Sequence, residues 1–224
     1  MIVLATTRVE SPLADSLIER WTTSADKAHA ATRRSQTARS LSLMARAGLR
    51  ALLLQHTAQS EWVFCADTRG KLSIMDGAGH AGPAVCVAHT RGMVACALGD
   101  VFAVGVDIEA YRPRDFNAIA AWSFGPLECA AVAAGDAAAF YRIWTLREAL
   151  GKATGEGLAL ATDRRDRTED GPNTGTWGKL IDRQNWLLGH FRPDRHISIA
   201  VAALLGDGEA PGALDVRWID ISKL

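Results

Sequence analysis

The chain has 224 residues, with 25 Lys and Arg balanced by 25 Asp and Glu, and 48% of its residues are hydrophobic. That length and apolar fraction can build one large or two small domains around a real core, which excludes a largely disordered chain. Zero net charge offers no global field toward nucleic acid or anionic lipid, so no nucleic-acid partner is expected.

The apolar run in residues 1–8 is too short for a signal peptide, and no later stretch approaches the ~20 apolar residues of a membrane span. Cys65, Cys86, Cys96 and Cys129 lack the close paired spacing of zinc or redox motifs and read as buried thiols in a reducing compartment. A cytoplasmic protein without membrane association is expected. Residues 25–36 form a polar patch. In 39–55, Leu41, Ala45, Gly48 and Leu52 recur at spacings of four, three and four and predict a helix. Arg39, Arg46 and Arg50 form a basic stripe along it, for which a solvated helix face is the ordinary meaning.

Strands are predicted at 61–66 and 72–75, then at 84–88 and 93–98, with a Gly-rich loop at 76–83. This first unit reads as a helix laid on an antiparallel sheet. A second begins with a strand at 101–109, passes an Arg/Pro loop and a helical region at 127–134, and reaches a strong helix at 137–152. There Ala139, Ile143, Leu146 and Leu150 form the apolar stripe. A polar loop at 163–175 and strands at 185–191 and 197–204 follow. Ala203-Leu-Leu-Gly-Asp207 echoes Cys96-Ala-Leu-Gly-Asp100. The expected fold is α+β, with two similar α/β halves, 1–100 and 101–224, in a pseudo-twofold arrangement and the active site in the cleft between them.

The strand Val101-Phe-Ala-Val-Gly-Val-Asp-Ile-Glu109 is the most informative segment. Val104, Val106 and Ile108 share one face, and Ala103, Gly105, Asp107 and Glu109 the other. Two carboxylates about 7 Å apart repel by about 0.6 kcal/mol in water and by about 2 kcal/mol at the effective dielectric of a sheltered site. A sheltered pair therefore calls for a cation, and hard oxygen donors in this number suit Mg2+, with Mn2+ left open. Taken alone, an Asp-x-Glu pair is more often a surface or ion-pair feature.

In Trp144-Thr-Leu-Arg-Glu-Ala-Leu-Gly-Lys152, Glu148 and Lys152 are four apart, the spacing of an intrahelical salt bridge worth about 0.3–0.5 kcal/mol. Gly151 costs this helix close to 1 kcal/mol relative to Ala and points to close backbone approach or a nearby helix end.

Gly105-Val-Asp-Ile-Glu109, then Trp144-Thr-x-Arg-Glu-Ala-x-x-Lys152 and Thr154-Gly-x-Gly157, together resemble the 4′-phosphopantetheinyl transferases, in particular the longer, monomeric surfactin-synthetase-activating type. Phe124-Gly-Pro-Leu-Glu128 is similar to that family's Phe-x-x-x-Glu segment, Gly70-Lys71-Leu72 to its Gly-Lys-Pro, and Ala88-His89-Thr90 to its Ser-His-Ser. The resemblance runs from Arg39 to Lys152 and more loosely to the last predicted strand. Leu72, Ala88 and Arg147 depart from the pattern, and Arg147 keeps the charge of the usual lysine while changing its geometry.

The resemblance implies transfer of 4′-phosphopantetheine from coenzyme A to a serine of an apo acyl or peptidyl carrier protein, releasing 3′,5′-ADP. It implies that Asp107, Glu109 and Glu148 hold Mg2+ and that Glu148, directly or through water, takes the serine proton. Lys152 then neutralises the departing phosphate. Lys71 and His89 would contact coenzyme A phosphates, with Arg46 and Arg39 near the 3′-phosphate. Arg50 reads as structural and Glu128 as a helix-start residue. Trp122 and Phe124 read first as core aromatics and second as an apolar surface for the carrier, whose recognition helix is typically acidic in this family. Arg112 and Arg114 are better placed to attract it. Two rivals are a Mg2+-dependent phosphohydrolase acting on coenzyme A or a nucleotide, and a non-catalytic coenzyme A or carrier-binding module.

Overall fold

A computed structural model describes residues 2–8, 14–167, 177–179, 185–206 and 216–220. The first unit contains β1 (Ile2–Arg8), α1 (Ala14–Trp21), α2 (Ser24–Ala31), α3 (Gln36–Thr57), β2 (Val63–Ala66), β3 (Leu72–Met75), β4 (Ala84–Thr90) and β5 (Met93–Gly99). The second contains β6 (Ala103–Ala110), α4 (Phe116–Ser123), α5 (Pro126–Ala134), α6 (Ala137–Thr154), α7 (Leu158–Ala161), β7 (Trp177–Lys179), β8 (Trp186–Asp194) and β9 (Ile197–Leu204), after which β10 (Val216–Asp220) returns to the sheet of the first.

Alternation along these strands builds two four-stranded sheets, ordered β10-β1-β5-β4 and β6-β9-β8-β7, while β2 and β3 form a separate hairpin. On the first sheet, Val3, Ala5, Val85, Val94, Cys96 and Leu98 face outward into a core shared with α3. Their alternates Ile2, Leu4, Cys86, Ala88, Ala95 and Ala97 face inward and meet Val104, Val106, Ile108, Ile199 and Val201 of the second sheet. The outer face of that sheet, through Ala103, Ala200, Ala202 and Leu188, packs on Leu146, Ala149, Leu150 and Ala153 of α6. The layers thus run helix, sheet, sheet, helix, an α+β architecture. The small inner residues Ala88, Ala95 and Ala97 suit close sheet-to-sheet approach.

The predicted strands and the two long helices correspond to observed elements. The sequence expectations contain no counterpart for β1, α1, α2, α4, α7, β7 and β10, and for three of these the reason is identifiable. β1 lies between β5 and β10, paired antiparallel to one and parallel to the other, and is buried on both faces, so it has no polar alternation to find. The polar patch at 25–36 contains α2, whose docking depends on the buried Asp26 rather than an apolar stripe. α4 falls in the segment read as an Arg/Pro loop and starts at its Asp115 cap. Residues 168–175 of the predicted polar loop, and Asp207 of the five-residue echo, lie outside the described residues.

Candidate active site

The face of β6 that carries small residues and then carboxylates is covered by α6. A Cβ on Gly105 would lie 2.0 Å from the Ala149 carbonyl oxygen and 2.7 Å from the Ala153 nitrogen. The space left by Gly105 is therefore taken by helix backbone, which sets the last turns of α6 directly against the strand. Beyond this contact the strand presents Asp107 and the helix presents Lys152. Lys152 Nζ donates to Asp107 Oδ1 at 2.7 Å. The ammonium thus bridges helix to strand, and no Glu148–Lys152 bridge forms among the described residues.

At the end of α6, Gly155 takes a left-handed φ of 76° and the chain folds back, so that Gly157 N–H donates to the Gly151 carbonyl at 2.9 Å. A Cβ on Gly151 would stand 2.5 Å from the Gly157 oxygen. Both readings of this glycine, close approach and helix end, therefore apply.

Asp107 is 5% exposed, and its second oxygen, Oδ2, is buried without a hydrogen-bond partner among the described residues. Glu109 accepts a hydrogen bond from Thr90 Oγ1 at 3.2 Å. Burial raises the pKa of Glu109, and the charge of Asp107 raises it further. Glu148 is raised by burial, then by Asp107, with Glu109 also contributing against the opposing pull of Lys152. For Lys152, burial alone would lower the pKa, but the charge and hydrogen bond of Asp107 prevail and hold it up. The charge of Asp107 is therefore felt at both glutamates, opposed by Arg114 and Arg112 at Glu109 and by Lys152 at Glu148.

As they stand, no three His, Cys, Asp or Glu side chains among the described residues are gathered tightly enough to ligate a metal. The donor set nevertheless fits a divalent cation. It is all hard oxygen, carries surplus negative charge, and includes one buried carboxylate oxygen with nothing to bind.

Next to this cluster, a cleft of about 420 Å³ is lined by His29, Arg33, Arg46, His89 and Lys152, with no carboxylate side chain on its wall. It meets a second cleft of about 200 Å³ at Gly70, Leu72, Val87 and Lys152. Arg46 and Arg50 pair with Asp26 at 2.8 and 2.7 Å, so part of the basic stripe anchors α2. Burial pushes the Asp26 carboxyl up, but hydrogen bonds from Arg50, the Thr23 backbone and Arg46 outweigh it and leave the pKa at about 2. Arg39 lies on the exposed start of α3, where its Nε donates to the Arg33 carbonyl at 3.0 Å, and it is absent from the cleft wall. Lys71 reaches the end of α6 and donates to the Ala153 carbonyl while lining the smaller cleft. Sequence reading missed His29 and Arg33. The one sign of them was their position four residues apart in the polar patch, which becomes a face only once Asp26 docks the helix.

Arg147 is 1% exposed and turns away from the cleft. Its guanidinium donates to Glu128 Oε2 at 2.6 Å, to Asp163 Oδ1 at 2.9 Å, and to the carbonyls of Ser123, Leu160, Ala161 and Arg165. Glu128 also caps the start of α5, as a helix-start residue does. Asp166 Oδ1 accepts from the N–H groups of Leu127 and Glu128. Phe124 is buried in the aromatic core, whereas Trp122 is 68% exposed, which corrects the expectation of a core residue there.

A family model described as the 4′-phosphopantetheinyl transferase superfamily matches residues 103–202. The chain is also 28% identical over 153 residues to the 4′-phosphopantetheinyl transferase HetI of Nostoc sp. (strain PCC 7120), a match that covers 66% of this chain and 62% of that relative. Thus the match spans less than two thirds of the relative's length. The family match begins with β6 and ends in β9, so it contains Asp107, Glu109, Glu148 and Lys152.

Proposed function

We propose that the chain, which matches the 4′-phosphopantetheinyl transferase superfamily over residues 103–202, transfers 4′-phosphopantetheine from coenzyme A to a serine hydroxyl of an apo acyl or peptidyl carrier protein. The other product is 3′,5′-ADP. We assign it to the longer, monomeric surfactin-synthetase-activating type, acting in the cytoplasm. Residues 1–100 would supply coenzyme A phosphate contacts and residues 101–224 the catalytic groups, as two pseudo-twofold halves.

The observation that carries this reading is the open valence of Asp107, a buried carboxylate oxygen without a partner among the described residues, beside a cleft whose charged side chains, Arg33, Arg46 and Lys152, are all cationic. Asp107, Glu109 and Glu148 would hold Mg2+ (or Mn2+), which supplies charge neutralisation on a pyrophosphate when bound. The chain's own groups divide the remaining work. His89, Arg46 and Lys152, joined by His29 and Arg33, offer charge-assisted hydrogen bonds to coenzyme A phosphates. Lys71 and Arg39 remain assigned to coenzyme A, from the smaller cleft and from the rim of α3 respectively.

Glu148 receives the serine proton as the hydroxyl oxygen bonds to the phosphorus bearing pantetheine and the pyrophosphate bridge breaks. Its raised pKa suits a base that must hold a proton. Lys152, raised and therefore charged, faces the phosphate that departs with 3′,5′-ADP. Exposed Trp122 and Leu127, with exposed Arg112 and Arg114 not far before them in the chain and exposed Arg164 brought back by its N–H bond to the Ser123 carbonyl, suit an acidic carrier helix with an apolar ridge.

The test incubates the protein with coenzyme A, Mg2+ and an apo carrier, and weighs the carrier. A gain of one phosphopantetheine is expected. Coenzyme A hydrolysis without carrier modification would point to a phosphohydrolase, and binding without reaction to a non-catalytic module. Asp107→Ala is expected to abolish transfer while the far-UV circular dichroism stays unchanged.

A further inference from the structure

Behind the carboxylates, a chain of buried hydroxyl and imidazole groups joins α6 to the strands beneath it. Thr145 on α6, Ser198 on β9 and His190 on β8 are each no more than 1% exposed. Ser198 Oγ lies 2.7 Å from His190 Nε2 and 3.1 Å from Thr145 Oγ1, and Thr145 Oγ1 lies 2.8 Å from the Tyr141 carbonyl oxygen.

Proton counting gives this chain a direction. A carbonyl only accepts, and Thr145 Oγ1 has two within reach, those of Tyr141 and Arg142. With the Thr145 proton spent there, Ser198, which also neighbours the Tyr111 hydroxyl, gives its proton to Thr145 and takes one from His190 Nε2–H, and this is the direction the proposal adopts. His190 Nδ1 has no hydrogen-bond partner among the described residues. In this tautomer it carries no proton, so what goes unmatched is a lone pair rather than an N–H. Burial first, and then the charges of Arg142 and Arg192, hold the His190 pKa down at about 4, which keeps the ring neutral.

The placement of the chain gives it a task. Thr145, Glu148 and Lys152 follow one another at spacings of three and four and share a face of α6. Ser198 is the ladder partner of Glu109. The chain therefore meets the helix in the same row of the sheet that carries an acid. Where α6 crosses Gly105 the close contact is with helix backbone and the small Ala153 side chain, so the polar ties on either side of it, Lys152 to Asp107 and Thr145 to Ser198, add direction to an otherwise apolar packing.

We propose that the His190–Ser198–Thr145 chain fixes the axial position of α6 on the second sheet and so holds Glu148 and Lys152 opposite Asp107. All three are positioning residues, since none reaches the reacting atoms. The proposal rests on the transferase reading for its kinetic consequence but not for its structural one.

Nitrogen NMR of the His190 ring and steady-state kinetics test it together. In the wild-type protein the ring is expected to be neutral with its proton on Nε2 at neutral pH. Thr145→Val removes the acceptor for Ser198, whose proton should turn to His190 Nε2 and drive the ring to the Nδ1–H form. The same variant should lower kcat about tenfold, the scale of a sub-ångström misplacement, with KM for coenzyme A within about twofold. Thr145→Ser should restore both the tautomer and kcat.

A wild-type ring protonated on Nδ1 overturns the proposal. So does a folded Thr145→Val protein with wild-type kcat, or a loss that Thr145→Ser fails to restore. If Thr145→Val does not fold, the wild-type tautomer and Ser198→Ala are read in the same way. An Nε2–H ring in a protein that transfers no phosphopantetheine defeats the proposed function, whereas transfer by a protein with an Nδ1–H ring defeats the chain alone.

Discussion

Arg147 and Glu148 are neighbours on α6, yet they enter two charged clusters of opposite character. Around Arg147 every donor direction is used, and both Glu128 and Asp163 are paired with it. Around Glu148, three carboxylates lie near one another, Lys152 pairs with Asp107 alone, and a buried oxygen of Asp107 is left without a partner among the described residues. Both join α6 to other elements, but the Arg147–Glu128 pair is fully buried whereas around Glu148 only Asp107 is, with Glu109, Glu148 and Lys152 half-buried. The difference lies in unused capacity. A closed cluster has nothing left to offer a ligand, while an open one holds acceptors whose desolvation nothing in the fold repays.

The closed cluster should therefore matter most for stability. Arg147→Met leaves Glu128 buried beside no cation and should cost about 3–5 kcal/mol in chemical denaturation. A loss below about 1 kcal/mol would erase the contrast with the open cluster. Gly105→Ala comes next. A methyl 2.0 Å from the Ala149 oxygen must push α6 off the strand, for about 1–3 kcal/mol of overpacking and a loss of transfer together. Unchanged stability would mean that α6 does not sit against β6 as described.

A third ion cluster, Asp26 with Arg46 and Arg50, lies between the two in size and can be followed by pH. A carboxyl whose folded pKa is about 2 against an ordinary 3.8 stabilises the fold above the unfolded value and loses that contribution as pH falls through the folded one. Asp26→Asn should cost about 2 kcal/mol near neutral pH, and its deficit relative to wild type should shrink between pH 4 and pH 2. A deficit constant across that window would show that the aspartate acts through shape rather than charge.

How far the sequence discloses these clusters follows from what each one is made of. The acids at 107 and 109 were legible because strand alternation puts them on one face, and Glu148 and Lys152 because helix spacing does the same. That Lys152 pairs with Asp107 instead of Glu148 was not legible, since it depends on how closely α6 approaches, which Gly105 decides across more than forty residues of chain. The cationic cleft was half legible. Arg46 lies on a periodic helix, but His29 and Arg33 face the cleft only after a buried aspartate has docked α2. The His190–Ser198–Thr145 chain was invisible, because three single polar residues on three elements leave no periodic trace.

The smallest stability effect is the sharpest test of the comparison. In the open cluster, Glu148→Gln keeps the shape of the side chain and removes one of three mutually repelling carboxylates. Its raised pKa means that the folded protein already penalises this charge, first through burial and then through Asp107. Substitution should therefore leave stability within about 1 kcal/mol of wild type, on either side of zero. Transfer should nevertheless fall at least about a hundredfold, because an amide neither takes the serine proton nor supplies an anionic oxygen. Paired denaturation and carrier-mass assays on one preparation measure both. A Glu148→Gln protein that lost stability as Arg147→Met does would mean that this cluster, too, is closed and structural. A stable one with full transfer would take Glu148 out of the chemistry and leave the open oxygen of Asp107 as the remaining reason to look for catalysis on this face.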